Sequence, residues 1–184
     1  MTALIVCVSV HHGNTKQVAE AIGEVLGAAV VEPEEVAPAD VPSYDLVGIG
    51  SGIYGMTFHP RLWRFARSLP KVPGTPAFLF ATSGSPELFW RLATLVLSRL
   101  LRFKGYRVVG TFSCRAFDTW GPLQLVGGLN KGRPSHADLS AARTFASQLL
   151  GRSTNGVVAT GARPVRKATG ARRNASPPST PAPS

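Results

Sequence analysis

A short turn near the N-terminus carries residues that could bind a phosphate group. It spans residues 9–15 (SVHHGNT) and follows an apolar, β-branched stretch at 3–8, which predicts a buried strand. After it, apolar residues recur at helical spacing up to Gly27 and predict a helix. A helix N-terminus favours anions through its unpaired N–H groups and its dipole, so this turn predicts a phosphate site. The alternative is an ordinary strand-to-helix connection, which often contains Gly and Asn.

Two more segments rich in Gly and Ser follow apolar stretches further along the chain. They are residues 50–56 (GSGIYGM), which follow the predicted strand 45–50, and residues 82–85 (TSGS), which follow the predicted strand 77–81. Glycines and hydroxyl groups at such positions let a backbone approach a ligand closely and offer it hydrogen bonds. These two segments are therefore further candidates for the same ligand.

The elements around these segments predict how they meet. Five short strands alternate with helical segments, the last of which begins with a capping-box-like Ser135 and Asp138 and ends at Leu150. This alternation predicts a doubly wound α/β fold in three layers, with a five-stranded parallel sheet in the order 2-1-3-4-5. In that order the carboxyl ends of strands one, three and four open on one crevice, where the three segments should converge.

Together the three segments resemble the flavin-binding loops of the flavodoxin family, over roughly residues 3–150. The resemblance implies that the cofactor is FMN, with its phosphate in the first segment and its isoalloxazine ring between the other two. The residues implied around the phosphate are Ser9, His11, His12, Gly13, Asn14 and Thr15. Those implied beside the ring, with Tyr54 as the stacking aromatic, are Ser51, Gly52, Ile53, Tyr54, Gly55, Thr82, Ser83 and Gly84.

The first segment departs from the family's usual order of residues. Val10 and His12 stand where two hydroxyl residues are usual, whereas Gly13, Asn14 and Thr15 match the pattern. His12 or backbone groups are therefore expected to make the first contacts to the phosphate. The stretch 50–60 also resembles a flavodoxin-like branch that includes menaquinone-dependent protoporphyrinogen dehydrogenase.

A long connection at residues 115–134 is expected to overhang the flavin, because it leaves the predicted carboxyl edge of the sheet. We interpret its Arg115, Asp118, Trp120 and Lys131 as contacts for an anionic substrate or partner. The alternative is a packed cover without a binding role.

The predicted helix at 86–104 is apolar around most of its circumference, more than covering a sheet requires. The excess predicts contact with a second subunit, giving a homodimer, or with a membrane surface. Burial under the long connection is the alternative.

Composition divides the chain into two parts. Residues 1–150 carry 14 basic and 10 acidic residues, whereas residues 151–184 carry six basic residues and no acidic or aromatic one. We predict a flavodoxin-like domain at 1–150 and a disordered basic tail, rich in Pro, Ser, Thr and Ala, at 151–184. Nothing in the domain indicates a nucleic acid as its partner.

The two cysteines, Cys7 and Cys114, lie in predicted strands and have neither metal-ligand nor disulfide spacing. Buried thiols, no metal site and a cytoplasmic location are therefore expected, and no signal peptide is evident.

Three functions are compatible with these features. The first is an FMN-binding redox protein that carries electrons between partner proteins. The second is a flavin-dependent oxidoreductase that acts on a quinone or porphyrinogen-like substrate at the membrane surface, although no catalytic residue stands out. The third is a scaffold on the same fold without a cofactor. An electron carrier is usually acidic, so this mildly basic domain predicts a partner of a different kind.

Overall fold

The computed structural model describes residues 1–10, 13–84, 87–115 and 133–157. The elements in these ranges alternate between strands and helices along the chain. In order they are β1 (Ala3–Val8), α1 (Asn14–Leu26), β2 (Ala29–Val31), a 3₁₀ turn (Val41–Ser43), β3 (Leu46–Tyr54), β4 (Thr57–Phe58), α2 (Pro60–Ser68), β5 (Pro76–Ser83), α3 (Glu87–Phe103), β6 (Arg107–Arg115) and α4 (His136–Val157).

Five of the strands form the parallel sheet that the sequence predicts. Their order is β2-β1-β3-β5-β6, which is the predicted 2-1-3-4-5 order with β5 and β6 as the fourth and fifth parallel strands. The additional strand, β4, pairs antiparallel with the end of β3. The carboxyl ends of β1, β3 and β5 therefore meet at one edge of the sheet, as the doubly wound fold requires.

Helices cover both faces of this sheet, which gives the predicted three layers. α1 and α4 pack on one face, around Ile5, Ile22 and Ala146, whereas α2 and α3 pack on the other, around Leu79 and Leu97. Side chains of β1 alternate between these two cores, so this strand is apolar along its whole length.

Two glycines of β3, Gly48 and Gly50, leave room for the phenylalanine side chains of the neighbouring strand β5. A Cβ atom at Gly48 would lie 2.3 Å from the Phe78 ring, and one at Gly50 would lie 2.5 Å from the backbone oxygen of Phe80. The two rings occupy the space that side chains of β3 would fill, on the face that α1 and α4 cover. The glycine content of this strand is therefore explained by packing at these two positions.

The end of β3 corrects one prediction. Ser51, Gly52, Ile53 and Tyr54 belong to the strand and not to a loop. β5 pairs with the first two (Ala81 with Ser51, Thr82 with Gly52), and β4 pairs with the last two (Phe58 with Ile53, Thr57 with Tyr54). The hairpin tip is Gly55-Met56, where both residues have positive φ (52° and 70°). Positive φ at both central residues is typical of a type I′ turn, which matches the twist of the two strands.

Met56→Gly should stabilise the protein by about 1 kcal/mol, because methionine is strained in the left-handed conformation that glycine adopts freely. Met56 is exposed at the hairpin tip, so the substitution removes little packing. The free energy of unfolding from urea denaturation measures the effect. Gly55→Ala is the reverse control: its Cβ would meet no atom within 4 Å, so it adds backbone strain alone and should destabilise. A lower stability for Met56→Gly would contradict the assignment of strain.

The last helix begins where the sequence predicts and ends later. The backbone N–H of Ser135 donates to Asp138 Oδ2 at 2.7 Å, and the N–H of Asp138 donates to Ser135 Oγ at 3.3 Å, which is the predicted reciprocal cap. The helix continues past Leu150, its predicted end, to Val157. The rest of the predicted tail lies outside the described residues, as does most of the long connection. Among the helices that the structure describes, none has the length and apolarity to cross a membrane.

Candidate functional site

The turn between β1 and α1 presents a helix N-terminus at the carboxyl edge of the sheet. Gly13 immediately precedes the helix in the left-handed conformation, with φ 67° and ψ 9°. Its carbonyl oxygen accepts from the N–H of Gln17 at 3.0 Å, which closes the first turn of α1. The N–H groups that precede this bond in the helix have no acceptor within it and point out of its N-terminus. The first turn carries no acidic residue, so no carboxylate there opposes an anion.

The hydroxyl group of Ser9 is the second feature of this turn. Its oxygen is buried and has no hydrogen-bond partner within the described part of the chain. A buried hydroxyl without a partner costs free energy, and an oxyanion of a bound phosphate would supply an acceptor. The turn therefore fits the phosphate that the sequence predicts for it. His11 and His12, two other predicted contacts, lie outside the described residues.

A buried hydrogen bond joins the first segment to the third. Thr15, in the first turn of α1, and Thr82, near the end of β5, have their hydroxyl oxygens 2.8 Å apart. Both residues are buried. Thr82 also lies opposite Gly52 of the second segment in the register of β3 and β5. The predicted convergence of the three segments is therefore confirmed, with Thr82 at its centre.

The second segment is held by hydrogen bonds around Ser51. Its buried hydroxyl donates to the carbonyl oxygen of Gly52 at 2.7 Å and accepts from the backbone N–H of His59 at 3.1 Å. These bonds fix the end of β3 against the start of α2. His59 also caps α2, because its Nδ1 accepts from the N–H of Arg61 at 3.2 Å.

The Tyr54 ring lies over the backbone of Gly52. A Cβ atom at Gly52 would be 2.9 Å from the Tyr54 hydroxyl oxygen and 3.0 Å from the ring, so a side chain at this position would displace the ring. The ring also contacts the His59 ring edge-to-face, with 5.4 Å between centroids. The predicted stacking aromatic is therefore positioned at the site by two neighbours.

Ser83 and Gly84 of the third segment lie at the same edge of the sheet as Thr82, and so does Arg115. Ser83 ends β5, so Thr82 and Ser83 belong to a strand and not to the predicted loop, because β6 pairs with both of them. Gly84 follows directly. Arg115 ends β6 opposite Ser83 and is exposed, which places it at the rim of the site. Asp118, Trp120 and Lys131, the other predicted partner contacts, lie outside the described residues.

Neither cysteine is placed to react. Burial raises the pKa of the Cys7 thiol to about 12, with a smaller contribution from Glu32 and Glu20. Burial likewise raises the pKa of the Cys114 thiol to about 12.

Because the thiolate is the reactive form and a raised pKa keeps the thiol protonated, we expect very slow alkylation of the native protein at pH 8. Iodoacetamide labelling followed by mass spectrometry measures this, with the urea-unfolded chain as the control. Rapid labelling of native Cys7 would contradict the burial of that thiol.

Comparison with known proteins agrees with this geometry. A family model described as a flavodoxin domain matches residues 5–87, which include all three segments. The uncharacterized protein MJ0298 of Methanocaldococcus jannaschii is 37% identical over 150 residues, covering 82% of this chain and 99% of that protein.

Solved structures share the fold at lower identity. A flavodoxin of Streptococcus pneumoniae and Flavodoxin 2 of Bacillus cereus each superpose with a TM-score of 0.65 and 17% identity, covering 83% of this chain and 99% of theirs. A flavodoxin from the domain Archaea superposes with a TM-score of 0.60 and 20% identity, covering 84% of this chain and 99% of its own. The finer resemblance to the protoporphyrinogen dehydrogenase branch stays a prediction. The chain belongs to the flavodoxin family, whose cofactor is FMN.

Proposed function

We propose that this protein uses FMN to carry electrons between partners. The observation that carries the proposal is the buried Thr15–Thr82 hydrogen bond, which ties the phosphate turn to the edge that faces the ring. The two halves of an FMN site are thereby held at a fixed spacing, and such preorganisation favours tight binding. When bound, FMN supplies the redox chemistry, and the protein supplies binding and orientation.

Each segment has a separate task in this proposal. The Ser9 hydroxyl, Gly13 and the N-terminus of α1 bind the phosphate dianion, because they offer donors and a favourable dipole without a nearby carboxylate. Tyr54, held over Gly52 and against His59, covers the ring and excludes water from one side of it. Thr82, Ser83 and Gly84 border the polar edge of the ring.

The charge of the domain indicates the kind of partner. Residues 1–150 carry more basic than acidic residues, and Arg115 is exposed at the rim of the site. Electrostatic complementarity therefore favours a partner with an acidic docking surface.

The protein purified without added flavin should be yellow. Heat should release a flavin that co-migrates with FMN, and not with riboflavin or FAD, on chromatography. The loaded protein should be reduced reversibly by dithionite and reoxidised by an acceptor protein. A colourless protein that takes up no FMN would overturn the proposal. Steady-state turnover of a quinone with a reduced nicotinamide would instead assign an oxidoreductase.

A further inference from the structure

The outer side of α3 exposes five large apolar side chains. They are Leu88, Leu92, Leu95, Val96 and Phe103, here called the apolar face, and their exposed fractions run from 46% to 75%. Among the described residues only three other large hydrophobic side chains are exposed, and none of those lies on a helix. Exposed apolar groups gathered on one helix indicate an interaction surface, whereas scattered ones do not.

The core does not need these residues. The opposite side of α3 packs on the sheet through Ala93, Leu97 and Leu101, which are all buried. These positions follow the helical repeat and supply the stripe that covers the sheet. The apolar face is therefore additional to the packing of the domain.

Basic residues accompany the apolar face. Arg91, Arg99 and Arg102 are exposed on the same side of α3, and residues 88–104 contain no acidic residue. The neighbouring helix α2 adds exposed Arg64 and Arg67.

Lys71 extends the basic surface to the end of α3. Its Nζ lies 5.2 Å from the centre of the exposed Phe103 ring. Over the whole stretch 60–104, which contains both helices, eight basic residues accompany the single acidic residue Glu87.

The charges argue against a second copy of the chain as the occupant. A symmetric pair of α3 helices would bring the arginines of one copy against those of the other. No carboxylate between residues 88 and 104 could offset this repulsion. A partner with negative charges and apolar groups would complement both the arginines and the apolar face of α3.

We propose that the apolar face of α3 docks this protein on an anionic lipid membrane. An amphipathic helix with leucine, phenylalanine and arginine on one side lies in the plane of the interface, its apolar groups among the acyl chains and its arginines at the headgroups. α3 has 17 residues and so presents about 25 Å of helix to the membrane. It begins shortly after Gly84, so docking would hold the cofactor end of the sheet beside the bilayer. This proposal does not depend on the proposed redox function.

Co-sedimentation of the full chain with lipid vesicles tests the proposal. One vesicle type contains phosphatidylcholine alone, and the other contains phosphatidylcholine and phosphatidylglycerol in a ratio of about three to one, which supplies the negative surface. We expect binding to the anionic vesicles that weakens as salt is added. L92Q/V96Q should reduce the partition coefficient at least tenfold, because it removes two half-exposed apolar side chains and keeps good helix formers.

The contribution of the α3 arginines to membrane binding is tested separately, with a control variant that loses the same number of positive charges elsewhere. R99Q/R102Q should weaken binding to anionic vesicles about fivefold per arginine. R143Q/R152Q removes the same charge from α4, which covers the opposite face of the sheet, and should have a much smaller effect; Arg152 is exposed, and Arg143 is partly exposed and pairs with Glu24. Circular dichroism verifies that each variant is folded. F103S is the alternative if L92Q/V96Q does not fold, since Phe103 is 75% exposed.

Three results would overturn the proposal. The first is an equal loss in R99Q/R102Q and R143Q/R152Q, which would assign binding to net charge or to the basic tail. The second is the absence of binding to either vesicle. The third is a dimer in analytical ultracentrifugation that L92Q/V96Q dissociates, which would assign the apolar face to a second copy.

Discussion

Asn14→Asp is expected to weaken FMN binding roughly 100- to 1000-fold and to leave riboflavin binding nearly unchanged. Asn14 is the buried first residue of α1, at the turn that fits the phosphate. A carboxylate of nearly the same shape would lie beside the phosphate dianion, and two like charges about 4 Å apart repel by about 4 kcal/mol near a protein surface. Riboflavin has no phosphate and therefore feels little of this repulsion.

Fluorescence titration of the cofactor-free variant with each flavin gives the two dissociation constants. The variant should fold, because a carboxylate at the start of a helix interacts favourably with its dipole. Gln17→Glu is the matched control: it adds the same charge to the exposed side of the first turn and should have a much smaller effect. Equal losses for FMN and riboflavin in Asn14→Asp would show that the phosphate is bound elsewhere.

Gly105→Ala should destabilise the protein by about 3 kcal/mol or more. Gly105 has φ 88°, and a Cβ atom there would lie 1.8 Å from the carbonyl oxygen of Val72. That oxygen cannot easily move, because the N–H of Val72 donates to Lys104 O and the N–H of Gly74 donates to Gly105 O, both at 2.8 Å. The substitution must therefore break these contacts or strain both segments.

Urea denaturation of the two proteins gives the difference in unfolding free energy. Gly151→Ala is the control: Gly151 lies in α4, and its Cβ would meet no atom within 4 Å, so helix propensity should make this substitution slightly stabilising. If Gly105→Ala were no less stable than the starting protein, the close crossing of residues 72 and 105 would be wrong.

The sequence predicts the fold well because its signals are local and strong. Continuous apolar runs such as Ala3–Val8 predict buried parallel strands, and the strand order follows from the handedness of the connections. The prediction that three segments meet at one edge follows from that order alone and is confirmed by the Thr15–Thr82 contact.

What the sequence does not predict depends on contacts between distant residues. The last two residues of β3, Ile53 and Tyr54, are in the strand because a two-residue strand, β4, pairs with them, and so short a strand has no clear periodic signal. The cover that Tyr54 provides for Gly52, and its contact with His59, depend on side-chain directions that spacing does not fix. The excess apolar character of α3 is visible in the sequence, whereas only the structure shows which of its leucines stay exposed.

The phenyl rings of Phe78 and Phe80 over the bare backbone of Gly48 and Gly50 have a consequence for how this protein can change. A larger residue at position 48 of β3 requires a smaller side chain at position 78 of β5, so these two positions are expected to change together. Substitutions in direct contact are strongly non-additive. A double change such as Gly48→Ala with Phe78→Leu should cost less than the sum of its parts, because the three atoms nearest to the added Cβ all belong to the Phe78 ring. Substitutions at these facing positions of β3 and β5 are therefore expected to occur together.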